Sequence, residues 1–110
     1  MKTFPLFKVE PEEADLSLTE EQKETLVGIM LAGDGHIFRL PDHDPYLVVQ
    51  HAGFDLVYHR QLGTIFENLL ARPIDVASVE VNGKNYECVR LVTYRMKALI
   101  PWYDQFKDQT

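Results

Sequence analysis

Histidines, aspartates and one cysteine are the side chains of this sequence that could bind a metal ion or act as a nucleophile. The segment Asp42-His43-Asp44 has the composition of a metal site, but a proline on each side makes a turn the simpler prediction. His51 and His59 fall on different predicted elements, and their spacing matches no common zinc-ligand pattern. Cys88 lies within a predicted strand, where a cysteine packs as a small apolar residue. The spacing of these groups therefore predicts no catalytic centre.

Asp34 stands between two glycines, Gly33 and Gly35, after an apolar run that begins at Leu26. Two glycines allow the left-handed turn that helix ends often adopt, so the pattern predicts that a helix stops here. An aspartate in such a turn often has only a local structural role. On its own, the Gly-Asp-Gly pattern favours a turn residue over a metal ligand.

The elements that would position Asp34 follow from hydrophobic spacing and from helix and turn signals. Thr19 to Gln22 form a capping box at the start of a helix. Its apolar stripe consists of Leu26, Ile29, Met30 and Gly33. The remaining pattern predicts strands at 36–40 and 46–51, a helix over 55–71, strands at 74–81 and 86–94, and a short helix over 96–106. Asn82-Gly83 predicts a β-hairpin, and Pro101 should interrupt or bend the last helix. The order is αββαββα, which is an α+β fold.

The chain of 110 residues is long enough for one domain, and its net charge is −6. Residues 1–18 are predicted to form an extended acidic arm, because Pro5 and Pro11 discourage helix there, and residues 19–110 a single domain. From Leu26 onward ten acidic residues face eight basic ones, so much of the acidity belongs to the leading segment. An acidic balance opposes nucleic-acid binding, which gains affinity from lysine and arginine.

The setting of the protein is expected to be intracellular, in the cytoplasm or an organellar matrix. A single cysteine, Cys88, excludes an internal disulfide and a cysteine-rich zinc site. The N-terminus shows no secretory signal pattern, and the longest apolar stretch, 26–32, is too short to cross a bilayer.

The segment 26–37, Leu-Val-Gly-Ile-Met-Leu-Ala-Gly-Asp-Gly-His-Ile, resembles the LAGLIDADG motif of homing endonucleases. The αββαββα order is also that of the family, and the resemblance covers about residues 19–106. Gln50 at the end of the second strand and the aromatic closing segment 102–106 are similar to family features. Ile29 stands where the family prefers glycine. The resemblance implies a four-stranded antiparallel, saddle-shaped sheet.

Small residues on the first helix predict a close helix–helix contact. Gly28 and Ala32 lie one turn apart, with Gly33 beside them, and small side chains let two helix backbones approach. The family uses this contact to bring two motif ends together. The resemblance therefore implies a dimer interface at Gly28, Ile29, Ala32 and Gly33. Because one chain supplies one motif aspartate, a homodimer with twofold symmetry is expected.

The resemblance also implies the chemistry of the site. Asp34 and Gly33 would hold Mg²⁺ or Mn²⁺ at the scissile phosphate, since these ions prefer oxygen ligands. Gln50 would position the metal-bound water, although a solvent-facing strand residue is an equal alternative. The basic residue that the family places near the active centre has Lys97 as its candidate, with Arg90 and Arg95 as others. The catalytic set is thus Asp34, Gln50 and Lys97.

The sheet would form the surface that binds double-stranded DNA at a palindromic or near-palindromic site. Side chains that could reach phosphates or bases are Arg39, Gln50, Arg60, Arg90 and Arg95. On the hairpin the apolar set Ala77, Val79 and Val81 should face the core. That would leave Glu80 on the exposed face, with Glu87 nearby, where carboxylates repel phosphate. A solvated charged face is an equal alternative.

Three functions are compatible with these residues. The first is a metal-dependent, site-specific double-strand DNA endonuclease with paired Asp34 residues. The second is a DNA- or RNA-binding regulator or splicing helper that keeps the fold without cleavage. The third, suggested by the acidic charge, is a dimeric scaffold that binds no nucleic acid.

Overall fold

The computed structural model describes residues 11–52 and 56–107 of the chain. Seven helices and strands follow one another there: α1 (Glu20–Ala32), β1 (Gly35–Phe38), β2 (Tyr46–Ala52), α2 (Leu56–Ile65), β3 (Asp75–Val81), β4 (Lys84–Val92) and α3 (Ile100–Phe106). Two short 3₁₀ turns, Glu67–Leu69 and Lys97–Leu99, follow α2 and precede α3. The predicted αββαββα order is confirmed.

The four strands form one antiparallel sheet in the order β1-β2-β4-β3, so the predicted α+β fold is confirmed. One face carries Leu47, Val49 and Leu91, which join the main core with apolar residues of the helices and 3₁₀ turns. On the opposite face, Tyr46, Val48 and Val92 form a second, smaller buried cluster. We call these the helix face and the saddle face of the sheet.

Helix α1 begins with the predicted capping box. Thr19 Oγ1 accepts a hydrogen bond from Gln22 N, and Gln22 Oε1 accepts one from Thr19 N. The Gln22 side chain is buried and also donates from Nε2 to Ile65 O and Asn68 Oδ1. The same residue therefore caps α1 and fastens it to the end of α2.

Positions 33 and 35 require glycine for different structural reasons. Gly33 is left-handed, with φ 77°, and Gly33 N and Asp34 N donate to Met30 O and Ile29 O at the end of α1. Gly35 lacks a positive φ; a Cβ there would lie 2.7 Å from Ile29 Cγ2 and 3.3 Å from Leu47 Cδ1. Only Gly33 serves the left-handed turn predicted for both, and Gly35 lets α1 approach the sheet closely.

Helix α2 ends earlier than the predicted 55–71. The helix stops at Ile65, and the residues after the following 3₁₀ turn pair with the strand connection at Thr93. Ala71 N donates to Val92 O and Tyr94 N donates to Leu69 O. Sheet-like backbone pairing overrides the helical spacing here. The predicted first residue of this helix, Asp55, lies outside the described residues.

The last two elements follow the turn and proline signals of the sequence. Asn82 and Gly83 have φ 53° and 80° and connect β3 to β4, so the predicted hairpin is confirmed. Pro101 lies in the first turn of α3, where a missing N–H costs nothing. The proline begins this helix, whereas an interruption or bend was expected.

Part of the predicted arm lies beside the sheet. Arg95 N donates to Glu12 O and Ala14 N donates to Arg95 O, which forms a parallel bridge. Residues 1–10 of the predicted arm lie outside the described residues. Within the described part of the chain, no helix is long and apolar enough to cross a membrane.

Candidate active site

The left-handed Gly33 and the edge strand β1 position Asp34. Its side chain is 33% exposed, at the point where α1 gives way to β1. Two hydrogen bonds at the end of α1 fix its backbone: Gly33 N donates to Met30 O, and Asp34 N donates to Ile29 O at 3.0 Å. Asp34 is therefore a held and accessible carboxylate, as a metal ligand must be.

His51 is the side chain that meets Asp34 in the structure. His51 Nε2 lies 3.1 Å from Asp34 Oδ1, and the His51 side chain is 19% exposed. The register of β1 on β2 pairs Gly35 with Val49, which brings the end of β2 beside the end of α1. This neighbour was missed from sequence, because loop 39–45 is too long to fix the register of the two strands.

Two rings pack against the His51 side of the His51–Asp34 contact. The His51 ring lies edge-on to Tyr58 at 5.3 Å and to His59 at 5.0 Å, measured between ring centroids. His59 is fully buried, and its Nε2 lies 3.2 Å from Val49 O. His59 is thus part of the core, while His51 connects that core to Asp34.

Gln50 lies next to this contact but on the saddle face. It pairs in register with Arg90, two residues along each strand from the Val48–Val92 pair of the saddle cluster. Among the described residues, Gln50 Oε1 is a buried atom with no hydrogen-bond partner. A buried acceptor without a partner is costly, and a bound molecule could satisfy it.

Lys97 does not join the predicted catalytic set. Its side chain is 82% exposed and lies beside Asp44, with Nζ 3.4 Å from Oδ2. Asp44 lies just before the start of β2, whereas Asp34 lies beside the end of β2, because Gly35 pairs with Val49. At about 3.3 Å per residue, the two ends of this strand are roughly 20 Å apart. Within one chain, the prediction that Lys97 acts beside Asp34 is therefore wrong.

Only part of the predicted DNA-binding set shares the saddle face. Gln50 and Arg90 lie there, and Arg95 lies over the ring of Tyr46 at 6.0 Å. Arg90 and Arg95 are both buried, at 4% and 8% exposure. They are consequently poor partners for phosphate in this conformation.

Arg39 and Arg60 lie on the other side of the sheet. Arg39 stacks over the Tyr103 ring of α3 at 5.7 Å, and its Nε donates to His43 O. Arg60 is an exposed residue of α2, which belongs to the helix layer. The structure therefore does not bring these two arginines to the saddle face with Gln50.

Glu80 and Glu87 are exposed as predicted, but they do not lie on the saddle face. Glu80 pairs with Asn85, and strand alternation places Asn85 and Glu87 on the helix face with Val89. The apolar set of β3 was assigned to the core, but Val81 of that set pairs with Lys84 and lies on the saddle side. The two carboxylates therefore do not repel a ligand on the saddle face.

Two saddle-face residues were missed because alternation alone does not say which face packs on the helices. Lys84 and Tyr86 share a face with Arg90 and Val92, and both are exposed. The register of β4 on β2, which only the folded chain shows, determines the face of the sheet on which Lys84 and Tyr86 lie. Lys84 and Tyr86 add an accessible cation and an aromatic ring to this surface.

The outward face of α1 carries small and apolar residues. Gly28 and Ala32 are exposed, and Leu31 is 73% exposed although it is a large apolar residue. Among the described residues, apart from the adjacent residues and the backbone of α1 itself, no atom lies within 4 Å of the position that a Cβ of residue 28 would occupy. Ile29, also assigned to the dimer interface, is only 2% exposed and packs in the main core. That assignment is wrong for Ile29, because its side chain points toward Gly35.

The described residues of one chain assemble no group of three metal-ligating side chains. Asp34 fits an oxygen-seeking ion by its chemistry and accessibility, but it is a single carboxylate. One chain therefore offers a single accessible carboxylate at this position.

Comparison with solved structures defines the class of fold. The helices and the curled four-stranded sheet form a homing-endonuclease-like fold. The chain is similar to the homing endonuclease I-WcaI, whose structure was solved with its DNA recognition sequence bound, with a TM-score of 0.71 and 22% sequence identity. The likeness covers 83% of this chain and 40% of that one, so this chain spans about two fifths of its length. The sequence matches no protein-family profile and no curated protein.

Proposed function

We propose that this chain is one subunit of a LAGLIDADG-type homing endonuclease, a metal-dependent enzyme that cleaves both strands of DNA at a specific site. The observation that carries the proposal is Asp34, a half-exposed carboxylate held at the end of a helix whose outward face is small and apolar. Its place in a homing-endonuclease-like fold supports the same function.

The enzyme acts as a homodimer through α1. Gly28 and Ala32 leave the helix surface open to a second backbone, and Leu31 offers apolar area that one chain leaves in water. A twofold axis beside α1 brings the two Asp34 carboxylates together. A symmetric dimer has two equivalent halves, so its DNA site is palindromic or nearly so.

Mg²⁺ or Mn²⁺ is the cofactor, and Asp34 and the Gly33 backbone would hold it. The ion supplies charge stabilisation at the scissile phosphate and a more acidic bound water. Gln50 lies beside this point, and its buried Oε1 has no hydrogen-bond partner among the described residues, so this oxygen is suited to accept a hydrogen bond from a water molecule and orient it. The hydrogen bond from Asp34 N to Ile29 O would hold this ligand in place against the core.

The DNA lies on the saddle face. Gln50 and Arg90 are at its centre, Arg95 is toward one end, and Lys84 and Tyr86 are on the hairpin. Exposed cations contact phosphates and an exposed aromatic ring contacts sugar or base. In this proposal residues 19–110 are the DNA-cleaving domain and residues 1–18 are its arm. The enzyme works in an intracellular compartment that contains DNA.

A second candidate, a DNA- or RNA-binding protein without cleavage, is favoured by one observation. Lys97, the predicted basic catalytic residue, lies beside Asp44 and not beside Asp34, so the chain could bind nucleic acid and lack a group needed for cleavage. The buried saddle-face arginines and the net charge of −6 weaken phosphate binding. These two features favour the third candidate, a dimeric scaffold without nucleic acid.

Cleavage selection tests the proposal. The purified protein is incubated with Mg²⁺ or Mn²⁺ and a randomised palindromic DNA library, in parallel with Asp34→Asn. Asp42→Asn is the matched control, because Asp42 is an exposed aspartate in the left-handed conformation that asparagine also adopts. We expect cuts by the parent and the control but not by Asp34→Asn. Binding without cuts would favour the second candidate, and neither binding nor cuts would favour the scaffold.

A further inference from the structure

The contact between His51 and Asp34 carries an inference that rests on the proposed function. We propose that His51 is the positioning residue of Asp34. It holds Oδ1 through Nε2–H and leaves Oδ2 to face the divalent ion. The 3.1 Å separation of Nε2 and Oδ1 is within the range of an N–H···O hydrogen bond.

The position of the proton follows from the chemistry of the pair. An ionised carboxylate only accepts hydrogen bonds, so the bond requires the proton of His51 on Nε2. The other ring nitrogen, Nδ1, is a buried atom with no hydrogen-bond partner among the described residues. With the single proton of the neutral ring on Nε2 for the bond to Asp34, Nδ1 is left as the acceptor nitrogen. The Nε2–H tautomer is therefore the one that this environment selects.

The surroundings of His51 restrict the direction in which it can donate. Its ring is held edge-on by Tyr58 and His59, and His59 is tied to the backbone at Val49. Val49 in turn pairs with Gly35, the residue after Asp34. The donor and the carboxylate are thus fixed to the same pair of strands, which limits their relative motion.

His51 acts through Asp34 and is not itself a ligand. Its Nε2 is engaged by Asp34 Oδ1, and its Nδ1 is buried. No third ligating side chain lies with them in the described part of the chain. Hydrogen bonds to a ligating carboxylate orient it, and loss of such a partner typically weakens metal binding about 10- to 100-fold.

Mn²⁺ titration of the whole protein, without DNA, tests this role. His51→Phe keeps a ring against Tyr58 and His59 but removes the donor, whereas His51→Gln keeps an N–H donor. We expect His51→Phe to weaken Mn²⁺ binding about 10- to 100-fold and His51→Gln to recover part of that loss. His43→Gln, an exposed histidine in the loop before β2, is the control and should bind as the parent does.

A second measurement does not depend on metal or on the variants folding. Long-range ¹H–¹⁵N correlation of the parent protein at alkaline pH reports which ring nitrogen carries the proton. We expect His51 to be protonated at Nε2. A proton on Nδ1 would overturn the inference, because the bond to Asp34 could not then form.

The outcomes separate this inference from the proposed function. If Asp34→Asn loses Mn²⁺ binding while His51→Phe keeps the affinity of the parent, only the role of His51 is contradicted. If Asp34→Asn binds Mn²⁺ as the parent does, or if the parent binds none, the metal site of the proposed function fails and the inference fails with it.

Discussion

The Cγ2 methyl of Ile29 lies over Gly35, only 2.7 Å from the position that a Cβ of residue 35 would occupy. This contact presses the end of α1 onto the first two strands, and it leaves Asp34 between the two residues in contact. It also explains why Ile29 does not belong to the outward face of the helix. The same close approach that seals the core therefore sets the position of the candidate metal ligand.

Gly35→Ala should lower the stability of the fold. The added methyl would collide with Ile29 Cγ2 and press on Leu47, and overpacking of this kind costs about 1–3 kcal/mol. Urea unfolding measures the change in the free energy of unfolding. A variant as stable as the parent would show that α1 and β1 can separate freely.

Gly28→Ala should have two opposite effects, because the space around Gly28 is open within the described chain. Alanine is the better helix former by about 1 kcal/mol, so each subunit should become more stable at low concentration. The added methyl would hold two α1 backbones apart, so self-association should weaken. Sedimentation over a range of concentrations checks this; unchanged association would place the dimer contact elsewhere.

Gln22→Ala should strongly lower the free energy of unfolding. It removes a capping bond and leaves Ile65 O and the Asn68 side chain without the Gln22 amide. Losing these bonds at a buried site should cost about 2–3 kcal/mol. Gln61→Ala, at an exposed position of α2, is the matched control and should change unfolding in urea very little. Equal losses in the two variants would argue against the tertiary role of Gln22.

Local signals in the sequence were sufficient for most of the elements. Thr19 and Gln22 define the start of α1, and Asn82-Gly83 defines the hairpin, because each pattern satisfies or bends the backbone within a few residues. The predicted element order and sheet follow from these starts and stops and from the motif resemblance. Asp34 could be proposed as a ligand only through that resemblance.

The register of the strands, and the face of the sheet on which each residue lies, could not be predicted from the sequence. The pairing of Gly35 with Val49, which delivers His51 to Asp34, depends on a loop whose conformation has no short-range signature. The side of the sheet that carries Glu80 depends on how β4 pairs with β2. Leu69 left the predicted helix because a distant strand connection offered its backbone partners. Each of these outcomes is decided by tertiary contacts.

Lys84→Ala should weaken binding to DNA, whereas Arg60→Ala should not. Lys84 is an exposed cation on the saddle face, and Arg60 is an exposed cation on the helix layer. Removing one phosphate contact should reduce the slope of log K against log salt by about one unit. Fluorescence anisotropy at several salt concentrations measures it. Loss of affinity in Arg60→Ala alone would move the DNA to the opposite side of the sheet.

The central claim, that two Asp34 residues from two chains form one cleavage centre, is tested by subunit mixing. Parent and Asp34→Asn chains are mixed in varied ratio, allowed to exchange, and assayed for double-strand cleavage of a selected site. If each centre needs Asp34 from both chains, activity follows the square of the parental fraction, and an equal mixture retains about a quarter of it. A linear decline, full activity of Asp34→Asn, or no cleavage by the parent would contradict it.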